Sequence, residues 1–267
     1  MTDTGYELLD RVAAIARRAG GEILEVYAAG EVAAAAKPDD SPLTAADLRA
    51  HALIVGALAE LTPELPVLSE EAADTPYSVR AGWTRYWLVD PLDGTKEFLS
   101  RNGQFTVNIA LIEGHTPTLG VVHVPVTDTS YRGLAGEGAW RQSATAAAEP
   151  IHVAPIAAAP LRVVGSRSHR GDSLDGFLGR AGPHRLVSLG SSLKFCLIAE
   201  GAADVYPRLG PTSEWDTAAA HAVLSAAGGT VCQLDGAPLR YNTGAQLLNP
   251  HFIAFGPRDR DWLALLR

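Results

Sequence analysis

The chain has 267 residues, with 22 Lys+Arg against 30 Asp+Glu for a formal charge of −8, 47% hydrophobic residues and 2 Cys. A chain this long buries roughly three quarters of its unfolded surface, so it needs no disulfide or structural metal to make a core; Cys196 and Cys232 lie in no zinc-site spacing and fit a reducing cytosol. The acidic balance argues against a partner of long nucleic acid but not against a small nucleotide, no stretch approaches the ~18 apolar residues of a membrane span, and residues 1–10 do not read as a signal peptide.

Residues 6–27 carry Leu9, Val12, Ala16, Ala19, Ile23 and Val26 at three- and four-residue spacings, which predicts an amphipathic helix ending near Gly30. Thr44-Ala45-Ala46-Asp47 has the S/T-x-x-D/E form of a capping box and opens a second helix that runs to Leu61. From Val67 the rhythm shortens to apolar runs at 67–68, 86–89, 106–112, 119–124 and 130–134, with Glu113-Gly114-His115 as a hairpin-like turn, so an antiparallel sheet is expected. The Ala- and Pro-rich stretch 144–160 is the candidate boundary between two halves, 1–155 and 156–267. Beyond it, strand-like 161–165 and 186–189 alternate with helix-like 174–180, 192–200 and 217–227, an α/β pattern. Trp83, Trp87 and Trp140 read as core, Cys196 as a small buried hydrophobe, and His51 and His221 as helix residues without partner ligands at metal spacing.

The sharpest local signal is Asp90-Pro91-Leu92-Asp93-Gly94-Thr95, directly after the apolar run 86–89. It reads as a tight turn that brings two carboxylates to one side, with Pro91 fixing φ between them and Gly94 allowing close backbone approach. Such a turn can hold a hard cation, and a helix beginning at Gly94 and Thr95 would aim N–H groups and a hydroxyl at an anion. A plain surface turn is the competing reading, and acids at loop positions 1 and 4 do not match the 1, 3, 5 of an EF-hand. Ser69-Glu70-Glu71 puts a glutamate at a strand tip, though Glu-Glu is commonly a solvated pair. Asp216, ahead of a helix opening at Thr217, is equally an N-cap, and Asp47 equally the acid of its capping box.

Glu70-Glu71, Asp90-Pro91-Leu92-Asp93-Gly94-Thr95 and Trp215-Asp216-Thr217-Ala218-Ala219, in this order, resemble the signature of the inositol monophosphatase superfamily of metal-dependent, lithium-sensitive phosphatases; the resemblance runs from the first helix to Phe255. Asn108-Ile109-Ala110-Leu111-Ile112, Ser166-Arg167-Ser168-His169, Gly190-Ser191-Ser192-Leu193-Lys194-Phe195-Cys196 and Tyr206-Pro207-Arg208 narrow it to the bacterial 3'(2'),5'-bisphosphate nucleotidases. The resemblance implies an α/β (α+β layered) fold, an alternating α-β-α-β-α five-layer sandwich. It implies two to three Mg²⁺ ions: one at Glu70, Asp90 and the Leu92 carbonyl, one at Asp90, Asp93 and Asp216, and a weaker third nearer Glu70 and Asp47. It further implies a water nucleophile oriented and deprotonated by Asp47 and Thr95 with help from Glu70, without a covalent phospho-enzyme. Substrate contacts carry over to Glu70, Leu92, Asp93, Gly94, Thr95 and Asp216 around the reacting phosphate, and to His169, Ser191, Lys194 and Arg208 for the rest of the nucleotide.

The implied activity is removal of the 3'-phosphate of adenosine 3',5'-bisphosphate, with the sulfated analogue as a further substrate and a role in sulfur assimilation. Inositol 1-phosphate is the rival substrate, and a non-catalytic nucleotide or metal sensor the rival class. The implied setting is cytoplasmic, free or peripheral at the cytoplasmic face of the inner membrane, as a monomer or homodimer whose partner is a small molecule.

Overall fold

The computed structural model describes residues 5–30, 34–36, 42–166 and 172–266. Helix α1 (Gly5–Ala28) turns Leu9, Val12, Ala16, Ala19 and Ile23 inward along the expected stripe. After the short antiparallel pair β1 (Ala34–Ala36) and β2 (Pro42–Thr44), α2 (Ala45–Leu61) starts on the expected capping box. The chain then lays down β3 (Val67–Ser69), α3 (Tyr77–Arg80), β4 (Arg85–Asp93), α4 (Thr95–Leu99), β5 (Thr106–Glu113), β6 (Thr116–Val124), β7 (Thr129–Leu134), β8 (Gly138–Gln142) and β9 (Glu149–Ile151). These strands, from β3 to β9, form a seven-stranded sheet in sequence order, antiparallel except for the parallel pair β3–β4.

The chain continues through β10 (Leu161–Ser166), α5 (Asp172–Ala181), β11 (His184–Leu189), α6 (Leu193–Ala199), β12 (Val205–Arg208), α7 (Glu214–Ala226), β13 (Thr230–Gln233) and β14 (Phe252–Phe255), and these five strands form the second sheet. Its order is β11-β10-β12-β14-β13, with β10 parallel to both neighbours and β14 antiparallel to both of its own. Pro207 has no N–H to give, and the pairing of β12 with β10 is confined to Val205.

Five layers result, as the resemblance implies. Helices α1 and α2 cover one face of the first sheet, burying Ile23, Ile54 and Leu58 against Val89, Ile109 and Val121. Between the sheets lie α6 and α7, with Phe195, Ile198, Ala218 and Val223 among Leu88, Val122, Tyr206 and Phe252. Helix α5 and the C-terminal turn Leu263–Leu266 cover the far face through Phe177, Ile253 and Trp262. Because both faces of β5 are covered, seven of its eight residues are buried, so it reads as a continuous apolar run instead of an alternation.

One contact fixes α7. Gly120 and Gly133 are paired neighbours on β6 and β7, and a Cβ at Gly120 would stand 2.2 Å from the Ala219 carbonyl oxygen, one at Gly133 2.6 Å from Val223 Cα. With Ala218, Ala219, Ala220 and Ala222 on its own surface, α7 rests backbone against sheet.

The stretch 144–160 contains β9, a member of the first sheet, and the core between the sheets spans residues from both sides of it. One expectation is corrected. Helix α7 starts at Glu214, not Thr217: Ser213 is the N-cap and Asp216 is the acid of a capping box, so Asp216 is not the cap itself. Strands β8, β9, β12, β13 and β14, of three to five residues each, carry too little apolar rhythm for the sequence to predict them. No helix among the described residues is long and apolar enough to cross a membrane.

Candidate active site

The expected tight turn at 90–95 is instead the end of β4, carrying a bulge. Asp90 pairs with Asn108 and Asp93 with Thr106, three steps on β4 against two on β5. In a regular strand, residues three apart point to opposite faces; the extra residue returns both aspartates to one face. Pro91 sits inside the bulge, where no ladder donor is needed. The Leu92 N–H donates back to Asp90 Oδ1 at 3.0 Å. Gly94 then takes φ +93°, a left-handed conformation that glycine adopts without strain, and α4 begins at Thr95.

Each remaining acid arrives from a separate element. Glu70 opens a 3-10 turn at the end of β3, beside the tip of β4. Asp216 comes from the first turn of α7, its Oδ2 accepting from Thr212 Oγ1 at 2.7 Å and the Ser213 N–H at 2.8 Å. Glu70, Asp90 and Asp216 present carboxylate oxygens all within 4.8 Å of one another. Asp47, 1% exposed on α2, serves two purposes. Its Oδ2 closes the capping box on the Thr44 N–H at 2.7 Å, and its Oδ1 accepts from Thr95 Oγ1 at 3.2 Å, that hydroxyl also standing 3.3 Å from the Leu92 carbonyl.

Two buried acids of this cluster, Asp90 and Asp93, hold their protons more tightly than free carboxyls do. Burial, then the charges of Glu70, Asp93 and Asp216, push the Asp90 carboxyl well above its ordinary range. Burial and Asp216 push Asp93 up to about 6, with Lys194 and hydrogen bonds from Ser192 and Asn108 pulling the other way. A bound cation reverses this balance, because its own charge makes the ionised forms favourable.

A buried chain of hydrogen bonds ties the acids to the second half. Asn108 Nδ2 donates to Asp93 Oδ2 at 3.2 Å and lies 3.0 Å from Ser192 Oγ, which donates to the Asp216 carbonyl at 2.5 Å. Behind α7, Glu214 is buried, with burial lifting its carboxyl to about 7, and its oxygens accept the Asn242 N–H at 3.0 and 2.8 Å.

A cavity of about 320 Å³ opens on these groups, lined by Glu70, Asp93, Gly94, Thr95 and Asp216 and also by Ser191, Lys194 and Arg208. Asp47, Asp90 and Leu92 sit behind that lining. Lys194 lies in the first turn of α6, only 6% exposed, and Nζ donates to the carbonyls of Ser191 at 2.5 Å and Leu189 at 3.4 Å. Burial lowers its ammonium to about 8, which Asp93 opposes. Arg208 is 8% exposed at the end of β12, bonded through Nη2 to the Pro211 carbonyl; among the described residues its buried Nε has no hydrogen-bond partner. Ser191 holds φ +48°, unusual for a non-glycine, and its buried hydroxyl is likewise unpartnered among the described residues. His169 lies outside the described residues.

Sequence reasoning missed Asn108 and Ser192, whose role depends on the β4–β5 register, and the cavity residues Glu97, Tyr206, Trp215 and Leu248. Trp215 adjoins Asp216 in the recognised motif, and that adjacency was the available signal. Of the three tryptophans read as core, Trp87 is fully buried, while Trp83 and Trp140 are half-buried against the core clusters. His51 and His221 bond Ser69 Oγ and the Tyr241 hydroxyl, and the Glu71 charge acts on the His51 ring.

The layered fold and the acid cluster agree with the comparisons. The model of the inositol monophosphatase family matches residues 6–257, and the chain belongs to that family. Within it, the chain is 52% identical over 247 residues to the 3'(2'),5'-bisphosphate nucleotidase CysQ of Salmonella typhimurium (92% of this chain, 98% of the relative) and 51% identical, with the same coverage, to CysQ of Escherichia coli K12. Among solved structures, CysQ from Bacteroides thetaiotaomicron, described as a bacterial member of the inositol monophosphatase family, superposes with a TM-score of 0.79 at 42% identity, covering 94% of this chain and 98% of that one. An inositol monophosphatase from Anabaena shares the fold, with a TM-score of 0.76 at 24% identity, covering 98% of this chain and 95% of that one.

Proposed function

We propose that the chain is a Mg²⁺-dependent phosphomonoesterase that releases the 3'-phosphate of adenosine 3',5'-bisphosphate, giving AMP and phosphate, and that also accepts the sulfated analogue in sulfur assimilation. The observation that carries this reading is a single cavity lined both by carboxylates of the acid cluster and by the buried cations Lys194 and Arg208. Inositol 1-phosphate has no second anion and would leave both cations without a ligand.

The donor set fits the metal. Glu70, Asp90, Asp93, Asp216 and the Leu92 carbonyl offer only oxygen, with no His or Cys, which suits a hard divalent cation. When bound, Mg²⁺ acidifies water and draws charge from the phosphoryl oxygens. Two or three ions would be shared as the resemblance implies, Asp90 being common to two of them.

The chain's own groups do the rest. Thr95 Oγ1, bonded to Asp47 Oδ1, accepts the proton of the attacking water while passing its own to Asp47. Glu70 orients that water from the other side. The water oxygen bonds to phosphorus, the P–O3' bond breaks with its electron pair going to the ribose oxygen, and that alkoxide takes a proton from solvent water to give the 3'-hydroxyl of AMP. Ser191, Lys194 and Arg208, with His169, hold the 5'-phosphate and so fix which phosphate reaches the acids. The protein acts in the cytoplasm on a small nucleotide, as a monomer or homodimer.

Comparing kcat/KM for adenosine 3',5'-bisphosphate and inositol 1-phosphate, with and without Mg²⁺, tests this. Preference for the bisphosphate with strict Mg²⁺ dependence is expected; preference for inositol 1-phosphate overturns the substrate assignment. Trapping a labelled phosphoprotein during turnover would overturn direct attack by water.

A further inference from the structure

Two turns border the cavity, one at Gly94 beside the acids and one at Gly190 leading into Ser191 and Lys194, and both abut Gln104 and Glu97. The Gln104 carbonyl oxygen would stand 3.2 Å from a Cβ at Gly94 and 2.8 Å from a Cβ at Gly190. The Gln104 side chain engages the second turn again, Oε1 accepting the Gly190 N–H at 3.0 Å. Glu97 fills the same gap: its Cγ would be 2.6 Å from a Cβ at Gly190, its Oε2 3.5 Å from one at Gly94. Gln104 is itself anchored, since its N–H donates to Asn102 Oδ1 at 2.9 Å and the next residue, Phe105, is fully buried against Phe98 and Tyr27. It does not line the cavity.

We infer that Gln104 is a positioning residue for specificity: it sets the spacing between the turn that presents the reacting phosphate and the turn that presents Ser191 and Lys194, and thereby selects substrates with a second anion. The inference rests on the reading under Proposed function, in which those residues hold the 5'-phosphate. A preset spacing lowers the cost of engaging both ends of a ligand at once, and a ligand with one phosphate gains nothing from it. Gly190 must be glycine for the same reason, because any side chain there would force the turn away from Glu97 and Gln104.

The test measures kcat/KM for adenosine 3',5'-bisphosphate and for adenosine 3'-monophosphate, which lacks only the second phosphate, in the wild type, Gln104→Met and Gly190→Ala. Gln104→Met keeps the length of the side chain and removes the acceptor of the Gly190 N–H. The wild type is expected to prefer the bisphosphate. In Gln104→Met the ratio is expected to fall by about fivefold, the consequence of losing about 1 kcal/mol of hydrogen bonding. The fall should appear as a higher KM for the bisphosphate, with the monophosphate unchanged. Gly190→Ala should lower the ratio in the same direction, and it serves as the test if Gln104→Met does not fold. An unchanged ratio, or an equal loss on both substrates, overturns the inference. A wild type without preference for the bisphosphate overturns the substrate reading instead, before any variant is considered.

Discussion

Asp90 is the residue on which the acid cluster turns, being buried and within reach of both Glu70 and Asp216. Asp90→Asn is expected to cut Mg²⁺-dependent turnover by about a thousandfold or more, since a metal ligand supplies several kcal/mol of transition-state stabilisation. The fold should remain, as circular dichroism would show, because Asn keeps the size and shape of the buried Asp90 side chain. Undiminished activity would refute the site. Asp93 gives a pH signature. Its folded value, about 6 without metal, exceeds the ordinary 3.8, so the folded chain holds that proton more tightly than the unfolded one. The resulting stabilisation is present below about pH 4 and lost as pH rises through about 6. Metal binding must displace the proton, so the rise in melting temperature caused by Mg²⁺ is expected to be small near pH 5 and large near pH 8; a pH-independent rise would contradict this.

At the scale of elements, the site depends on where α7 lies. Its backbone meets the first sheet at Gly120 and Gly133, and its first turn carries Asp216. Gly120→Ala is expected to cost about 1–3 kcal/mol by overpacking. Because the helix must move, it should also raise the Mg²⁺ concentration needed for half-maximal activity. Thermal melting and a Mg²⁺ titration check both, and a stable variant with unchanged Mg²⁺ dependence would show that α7 is not held there. The same elements show what could be read from sequence. The capping box Thr44 to Asp47 was legible because it is local, and so were the stripe of α1 and the run of β5. The bulge between Asp90 and Asp93 was not, because it exists only in the register of β4 against β5. Thr44 and Ser213 head the same kind of box, yet the sequence places the start of α7 three residues late, since an aspartate directly before Thr217 is itself a good N-cap residue.

For the whole molecule, two sheets that share a core with α6 and α7 bring acids from the turn after β3, from β4 and from α7, and cations from α6 and β12, to the wall of one cavity. The acids were legible through their motif, whereas the network of Asn108 and Ser192 that joins the halves needed the tertiary structure. A small cation such as Li⁺ entering this all-oxygen cluster in place of Mg²⁺ would leave it undercharged. Inhibition by Li⁺ is therefore expected, and its absence up to tens of times the Mg²⁺ concentration would count against the metal reading. The most direct test is phosphate release from adenosine 3',5'-bisphosphate, its sulfated analogue and inositol 1-phosphate by the purified protein, with Mg²⁺ and after chelation. The account predicts rapid release from adenosine 3',5'-bisphosphate that vanishes on chelation and returns with Mg²⁺; metal-independent release, or faster release from inositol 1-phosphate, would contradict it.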